Sequence, residues 1–280
     1  MSAQGFGYWL QWQVGLCALI ITGPSIIALK YVKNSKQEPL NSVDLWSTCW
    51  KSVDPIWLLF YRAFAFLCLA KMLYDFFAIF PMFTLVFYTQ WTFILVTLYF
   101  GLGTIISAHG CFVARNELKG KPKSKSQQKA GFFGNLMHIM YLTSAGASML
   151  TDIVFWCLIL PFLTSMEFEL TLLIGAMHAV NAGFLIVDTA LNRLPFPSLG
   201  FVYFVLFGSL YITFQWTIHA LGVDWWPYPF LELNTPWAPV CYFGLALVHI
   251  PCYWIYTLVV KAKGSILPKL FPRTFDRLHS

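Results

Sequence analysis

Charge is what this sequence has least of: Asp, Glu, Lys and Arg make up 11% of its 280 residues, while 58% are hydrophobic and 19% aromatic. A soluble domain of this length could not cover its surface with so few charges. Catalytic and metal-binding spacings are missing too. The seven Cys, at 17, 49, 68, 111, 157, 241 and 252, form no CxxC pair and mostly sit in apolar runs, where they read as small core residues. There is no HExxH, no His pair at i, i+4, no GxSxG elbow and no phosphate-binding glycine loop, so neither a metal nor a cofactor is expected. The N-terminus lacks a basic region ahead of its first apolar run and lacks a small-residue cleavage pattern, so that run is expected to be kept as a span.

What is present is a series of apolar runs. A bilayer core needs about 20 apolar residues per helix. Seven runs meet that length, at 8–30, 55–78, 82–109, 134–162, 170–192, 198–220 and 237–260. The expected fold class is therefore all-α, a polytopic transmembrane helical bundle over residues 1–262. A basic loop at 110–133 and a basic tail at 263–280 complete the chain. The link near Phe80 and Pro81 is very short, so spans two and three should form a tight antiparallel pair.

The net charge of +6 is uneven along the chain. Lys and Arg gather at 31–54, in 110–133, at Arg193 and in the tail, whereas the intervening loops hold Glu167, Glu169, Asp224 and Glu232. The positive-inside rule then sets the N-terminus outside or lumenal and the tail in the cytosol, in the endoplasmic reticulum or plasma membrane. Anionic lipid headgroups at the basic loop are the expected partners, with Ser124 and Ser126 open to phosphorylation and Cys111 to palmitoylation; nucleic acid is not expected.

Polar residues inside spans are the default functional candidates. The stretch "LTLLIGAMHAVNAGFLIVDTALN" carries His178, Asn181, Asp188 and Asn192. At about 100° per residue, Asn181 and Asp188 share a direction and His178 lies near it, making one polar stripe. Thr92, Asp152, His178 and His249 fall at one common depth, roughly 12–18 Å below the outer ends of their spans at about 1.5 Å per residue. Thr97, Gly101, Thr104 and Ala108 read as a packing face, with Thr92 and Tyr99 on another. Arg62 and Lys71 lie about two turns from the ends of span two and are expected to snorkel, Lys71 also pairing with Asp75. The stretch "DWWPYPFLELN" sets Trp225, Trp226, Tyr228 and Phe230 around two prolines, as an interfacial anchor or as a roof over a cavity.

Several segments together, "YTQWTFILVTLYFGLG", "GAMHAVNAGFLIVDTALNRLPFP", "FQWTIHALGVDWWPYPFLEL" and "GLALVHIPCYWIY", resemble the rolling-stone-like membrane proteins, which are related to the androgen-induced family. The resemblance runs from about span two to span seven. It implies an intramembrane hydrolase of fatty acid esters with a Thr nucleophile and a His base. The matching His is His178; the family's Thr, four residues after a Trp, falls here on Leu95, with Thr92 one turn away. In this reading His178 is the base, Thr92 the nucleophile, Asn181 an oxyanion donor, Asp152 the group that orients the imidazole, and Asp188 an organiser of the lower stripe. The rolling-stone branch implies instead a non-enzymatic scaffold in cell fusion or development. A small-solute carrier is the third expectation, resting on the polar stripe.

Overall fold

The computed structural model describes residues 5–35, 39–80, 82–117, 129–163 and 170–276. Lys36, Pro81, Lys119, Lys121, Lys123, Ser124, Lys125, Ser126, Glu167, Glu169 and Arg277 lie outside the described residues, and with them most of the basic-loop expectation.

Among the described residues eight α-helices follow in order: α1 Trp12–Asn34, α2 Pro55–Ile79, α3 Tyr88–Glu117, α4 Phe132–Val154, α5 Leu172–Met177, α6 Val180–Leu191, α7 Gly200–Ala220 and α8 Ala238–Leu270. The last turns of α4 widen into a π-helix over Phe155–Leu163, across Pro161. Seven of the resulting segments are long and apolar enough to cross a bilayer, α5 and α6 together forming one of them. Local chemistry sets several ends. Asp54 caps α2 by accepting from the Ile56 amide at 2.8 Å, with Pro55 in the first helical position, where a missing N–H costs nothing. Thr171 caps α5 through the Ile174 amide. Gly222, at φ 111°, closes α7 in a left-handed turn whose neighbour Val223 bonds back to Ile218.

Some expected ends move. Residues 82–86 form a 3-10 turn, and the third span starts at Tyr88 and runs on through residues assigned to the basic loop. Cys111 is therefore buried on a helix instead of sitting at a span boundary. The tail is helical as far as Leu270. All seven Cys are free, and four of them are buried.

α2 packs on α3 more extensively than any other pair, as the short link requires. α4 lies at the centre, buried from Tyr141 to Thr151, and touches α3, α6, α7 and α8. α1 leans on both α7 and α8, which scarcely meet each other. The bundle thus has two differently built ends. One gathers Tyr8, the 82–87 turn and the 221–237 loop, and is aromatic. The other is a clasp: Thr48 pairs with Asn192 and Trp50 with Phe275, while Arg193 bonds Asp276 at 2.8 Å and lies 3.6 Å from Asp44. Lys263, also at this end, is buried with its ammonium on the Asn192 carbonyl at 2.6 Å. Arg193 and Lys263 are thus turned into protein contacts. Burial also holds the Cys49 thiol of this clasp above its ordinary value, so it stays protonated at neutral pH.

Candidate functional site

The interior holds an ion pair. Arg62 is fully buried on α2 and meets the equally buried Asp188 of α6, Nε to Oδ1 at 2.9 Å. Its Nη1 donates to the Leu45 carbonyl at 2.7 Å and to the Ser107 hydroxyl at 2.8 Å. The second carboxylate oxygen accepts from Tyr99 at 2.6 Å and from Asn192 at 2.7 Å. Arg62 therefore does not snorkel, because an anion and two further acceptors within the bundle hold it more strongly than the headgroup layer could. Lys71 does face outward, paired with Asp75 at 2.5 Å. Just beyond Asp188, Thr189 links Tyr141 at 2.8 Å and Tyr256 at 2.7 Å.

The outer surface has the opposite character. Leu19, Leu67, Ile105, Leu210 and Trp254, on five different helices, are each more than half exposed. Charge inside and bare hydrocarbon outside on spanning-length helices is the polarity of a protein dissolved in lipid. The chain is an integral, multi-pass membrane protein. Compared with protein-family models, curated proteins and solved structures, it has no match in any of the three.

Within the bundle the stripe of 170–192 is broken. α5 ends at Met177 and α6 begins at Val180, because the His178 and Ala179 amides turn back to Gly175 and Ala176 at i−3 and the Asn181 side chain takes the Ala182 amide. The break separates His178 from Asn181 and Asp188. Its imidazole stacks flat on Phe155, centroids 3.6 Å apart, and its carbonyl accepts from Trp156 at 2.7 Å. Both rings belong to the π-helical turn, which sets them where a regular helix would not. Nδ1 of His178 is buried without a hydrogen-bond partner.

Asp152 lies beside Asn181, with Asp152 Oδ1 and Asn181 Nδ2 both buried and unbonded. No hydrogen bond joins Asp152 to the imidazole, so the orienting role expected of it is not made in this geometry. Thr92 is fully buried and shares a hydroxyl–hydroxyl bond with Thr151 at 3.1 Å. His249 belongs elsewhere: it stacks against Phe204 at 4.5 Å and bonds the Leu245 carbonyl of its own helix.

Two cavities open near the aromatic end. The smaller, about 290 Å³, is walled by His178 together with Thr84, Thr89, Gln90, Phe155 and Tyr228. The larger, about 380 Å³, contains His249 and Thr151 on its wall. Thr89, Ile159 and Tyr228 line both, so they form the partition. Thr92 and Asn181 line neither. Thr89, one turn before Thr92, lines both.

The aromatic loop divides its work. Trp225 packs edge-on against Phe83 and stays part-exposed, as an interfacial anchor would, and Trp226 stacks on His219 at 4.2 Å. Tyr228 and Phe230 stack at 5.0 Å and turn inward to wall the cavities. The Tyr228 hydroxyl accepts from the Tyr88 amide at 3.2 Å. Burial above all pushes its pKa up to about 12, with the Thr89 hydroxyl opposing the shift, so at neutral pH it remains a proton donor. Among the described residues no cluster of three or more His, Cys, Asp or Glu could hold a metal.

Proposed function

We propose that the chain is an intramembrane hydrolase of fatty acid esters, working in the His178 chamber. One observation carries this reading: an imidazole stacked on Phe155 lines a cavity that Thr89 lines as well. In this mechanism the Thr89 oxygen bonds to the ester carbonyl carbon as His178 takes its proton. Collapse breaks the bond to the alkoxy oxygen, which leaves with that proton. Water, deprotonated by His178, then releases the fatty acid from Thr89. Gln90 and Tyr228, polar residues of the same wall, replace Asn181 as oxyanion donors. Thr92, the nucleophile expected from the resemblance, lies off this chamber, bonded to Thr151 on the wall of the larger cavity.

The test is ester hydrolysis by the purified protein, with branched and simple fatty acid esters. His178→Ala and Thr89→Ala should each lose about 10²–10⁴-fold in kcat, the range for removing a positioned proton-transfer group. Thr92→Ala should lose less than about tenfold, in line with its place off the chamber. Full activity in His178→Ala would overturn the mechanism. The reverse order of the two threonines would return the nucleophile to Thr92. A folded protein without hydrolysis would instead favour the carrier or scaffold reading.

The same reading sets the N-terminus outside or lumenal and the clasp end in the cytosol, from the Lys and Arg excess of the loops at that end. Protease accessibility of a C-terminal tag tests it in sealed vesicles whose cytosolic face is outward; a tag that stays protected would reverse the orientation.

A further inference from the structure

The larger cavity has a construction of its own. It lies where α7 and α8 diverge, with α4 closing the inside and α1 the outside. Small residues, Gly208, Ser209 and Ala246, keep the facing walls apart. A Cβ on Gly208 would sit 2.6 Å from His249 Nε2, so the imidazole and this glycine together form a hard boundary.

The cavity contains hydroxyls, and most of their polar atoms are spent on the protein, the buried hydroxyl of Tyr88 being left without a partner. Tyr211 donates to the Val86 carbonyl at 2.8 Å, Tyr242 to the Leu231 carbonyl at 3.0 Å, and Ser209 to Val205 at 2.9 Å. Thr151 donates to the Ala147 carbonyl and shares a hydroxyl–hydroxyl bond with Thr92, and His249 Nδ1 is bonded to Leu245. What the walls offer a ligand is therefore mainly hydrocarbon and ring faces, with few polar atoms among them. Such a space does not hold ordered water, which needs several polar partners. Left empty, its lining would forfeit dispersion contacts on every side.

Its walls also reach the lipid. Pro24 on α1 and Phe243, Leu247 and Ile250 on α8 line the cavity and are exposed on the outer surface. At the inner end stand Thr89 and Tyr228, the partition shared with the His178 chamber.

We propose that this cavity is a binding site for one unbranched acyl chain of a membrane amphiphile, admitted sideways between α1 and α8 with its polar end at Thr89 and Tyr228. The binding itself needs no chemistry at His178; where the hydrolase reading holds, this is the chamber that receives the acyl half of the ester.

The experiment uses the full chain in nanodiscs and a naturally fluorescent polyunsaturated fatty acid as probe, with a diazirine-bearing palmitate for crosslinking. Saturable binding is expected, with crosslinks on Ile20–Pro24, on α7 near Gly208 and on α8 near Ala246. Ala246→Phe, which fills the chamber, should weaken binding at least tenfold, and saturated fatty acids should compete more strongly as the chain lengthens. Leu67→Phe, on the exposed face of α2, should bind as the parent does. His178→Ala should bind normally even where it hydrolyses nothing, which separates this proposal from the catalytic one. Extraction of the purified protein distinguishes the source: a tightly held phospholipid displaced by the probe and a free fatty acid both fit the site. Because Ala246→Phe could misfold, its thermal transition is read alongside, and Ser209→Phe provides a second filled variant. Unchanged affinity in a folded filled variant, or crosslinks confined to the outer surface, would overturn the proposal.

Discussion

Replacing Arg62 with Met is expected to lower the stability of the bundle by about 3–5 kcal/mol, the usual range when one partner of a buried ion pair is removed. The reason is what remains. Asp188 would keep the Tyr99 and Asn192 donors but lose its ion-paired cation, in a setting where an isolated charge is costly. The Leu45 carbonyl and the Ser107 hydroxyl would lose their donor at the same stroke. Arg62→Lys should not rescue it, since one ammonium cannot reach Asp188, Leu45 and Ser107 as the planar fork does. The double change Arg62→Met with Asp188→Leu removes both charges and should recover most of the loss. Denaturant titration of the parent, Arg62→Met, Asp188→Leu and the double variant in the same detergent gives the coupling energy directly. A loss below about 1 kcal/mol in Arg62→Met would mean that the pair is not held in the desolvated geometry described here.

The second large effect is steric. On α4 a Cβ at Gly146 would lie 2.5 Å from the Phe204 ring, which is itself fully buried against His249. The ring has nowhere to swing, so α4 and α7 would be pushed apart. Gly146→Ala should therefore destabilise by about 2 kcal/mol, within the range for overpacked cores and despite the better helix propensity of Ala. Gly183→Ala on α6, where nothing stands within 4 Å, should do the opposite and stabilise by up to about 1 kcal/mol. The same substitution on two helices thus carries opposite signs. Thermal unfolding measures both, and a double variant of Gly146→Ala with Phe204→Leu should lose less than the sum of the single changes. Equal shifts for the two glycine variants would show that propensity, and not packing, governs these helices.

These sites were legible to different degrees before the fold was known. Span number and the α2–α3 pairing follow from apolar length and loop length, which are local properties. Thr97 and Thr104 were readable as packing residues, and each indeed spends its hydroxyl on the carbonyl four residues back, while a Cβ at Gly101 would touch the Phe66 ring at 3.0 Å. The direction of Arg62 was not readable. Its span is apolar all round, so periodicity marks no inner face, and its partner lies 126 residues away. The break at His178 was hidden for a different reason: a continuous apolar run looks the same whether or not one turn slips to i−3. Choosing between Thr89 and Thr92 needed the cavity itself, since the two share a helix face to within one turn.

The distance along the chain between Arg62 and Asp188 also bears on how the protein is made. α2 leaves the ribosome before its counter-ion exists. At about 5–20 residues per second, the 126 intervening residues take roughly 6–25 s to synthesise, during which the guanidinium has no anion to meet. The buried ion pair of the second span therefore forms only once the fifth arrives. The nascent chain must be held, with α2 beside the translocation machinery or with Arg62 drawn toward the headgroups, until α6 docks. A truncation ending before Asp188 would expose that waiting state as a substrate for membrane quality control.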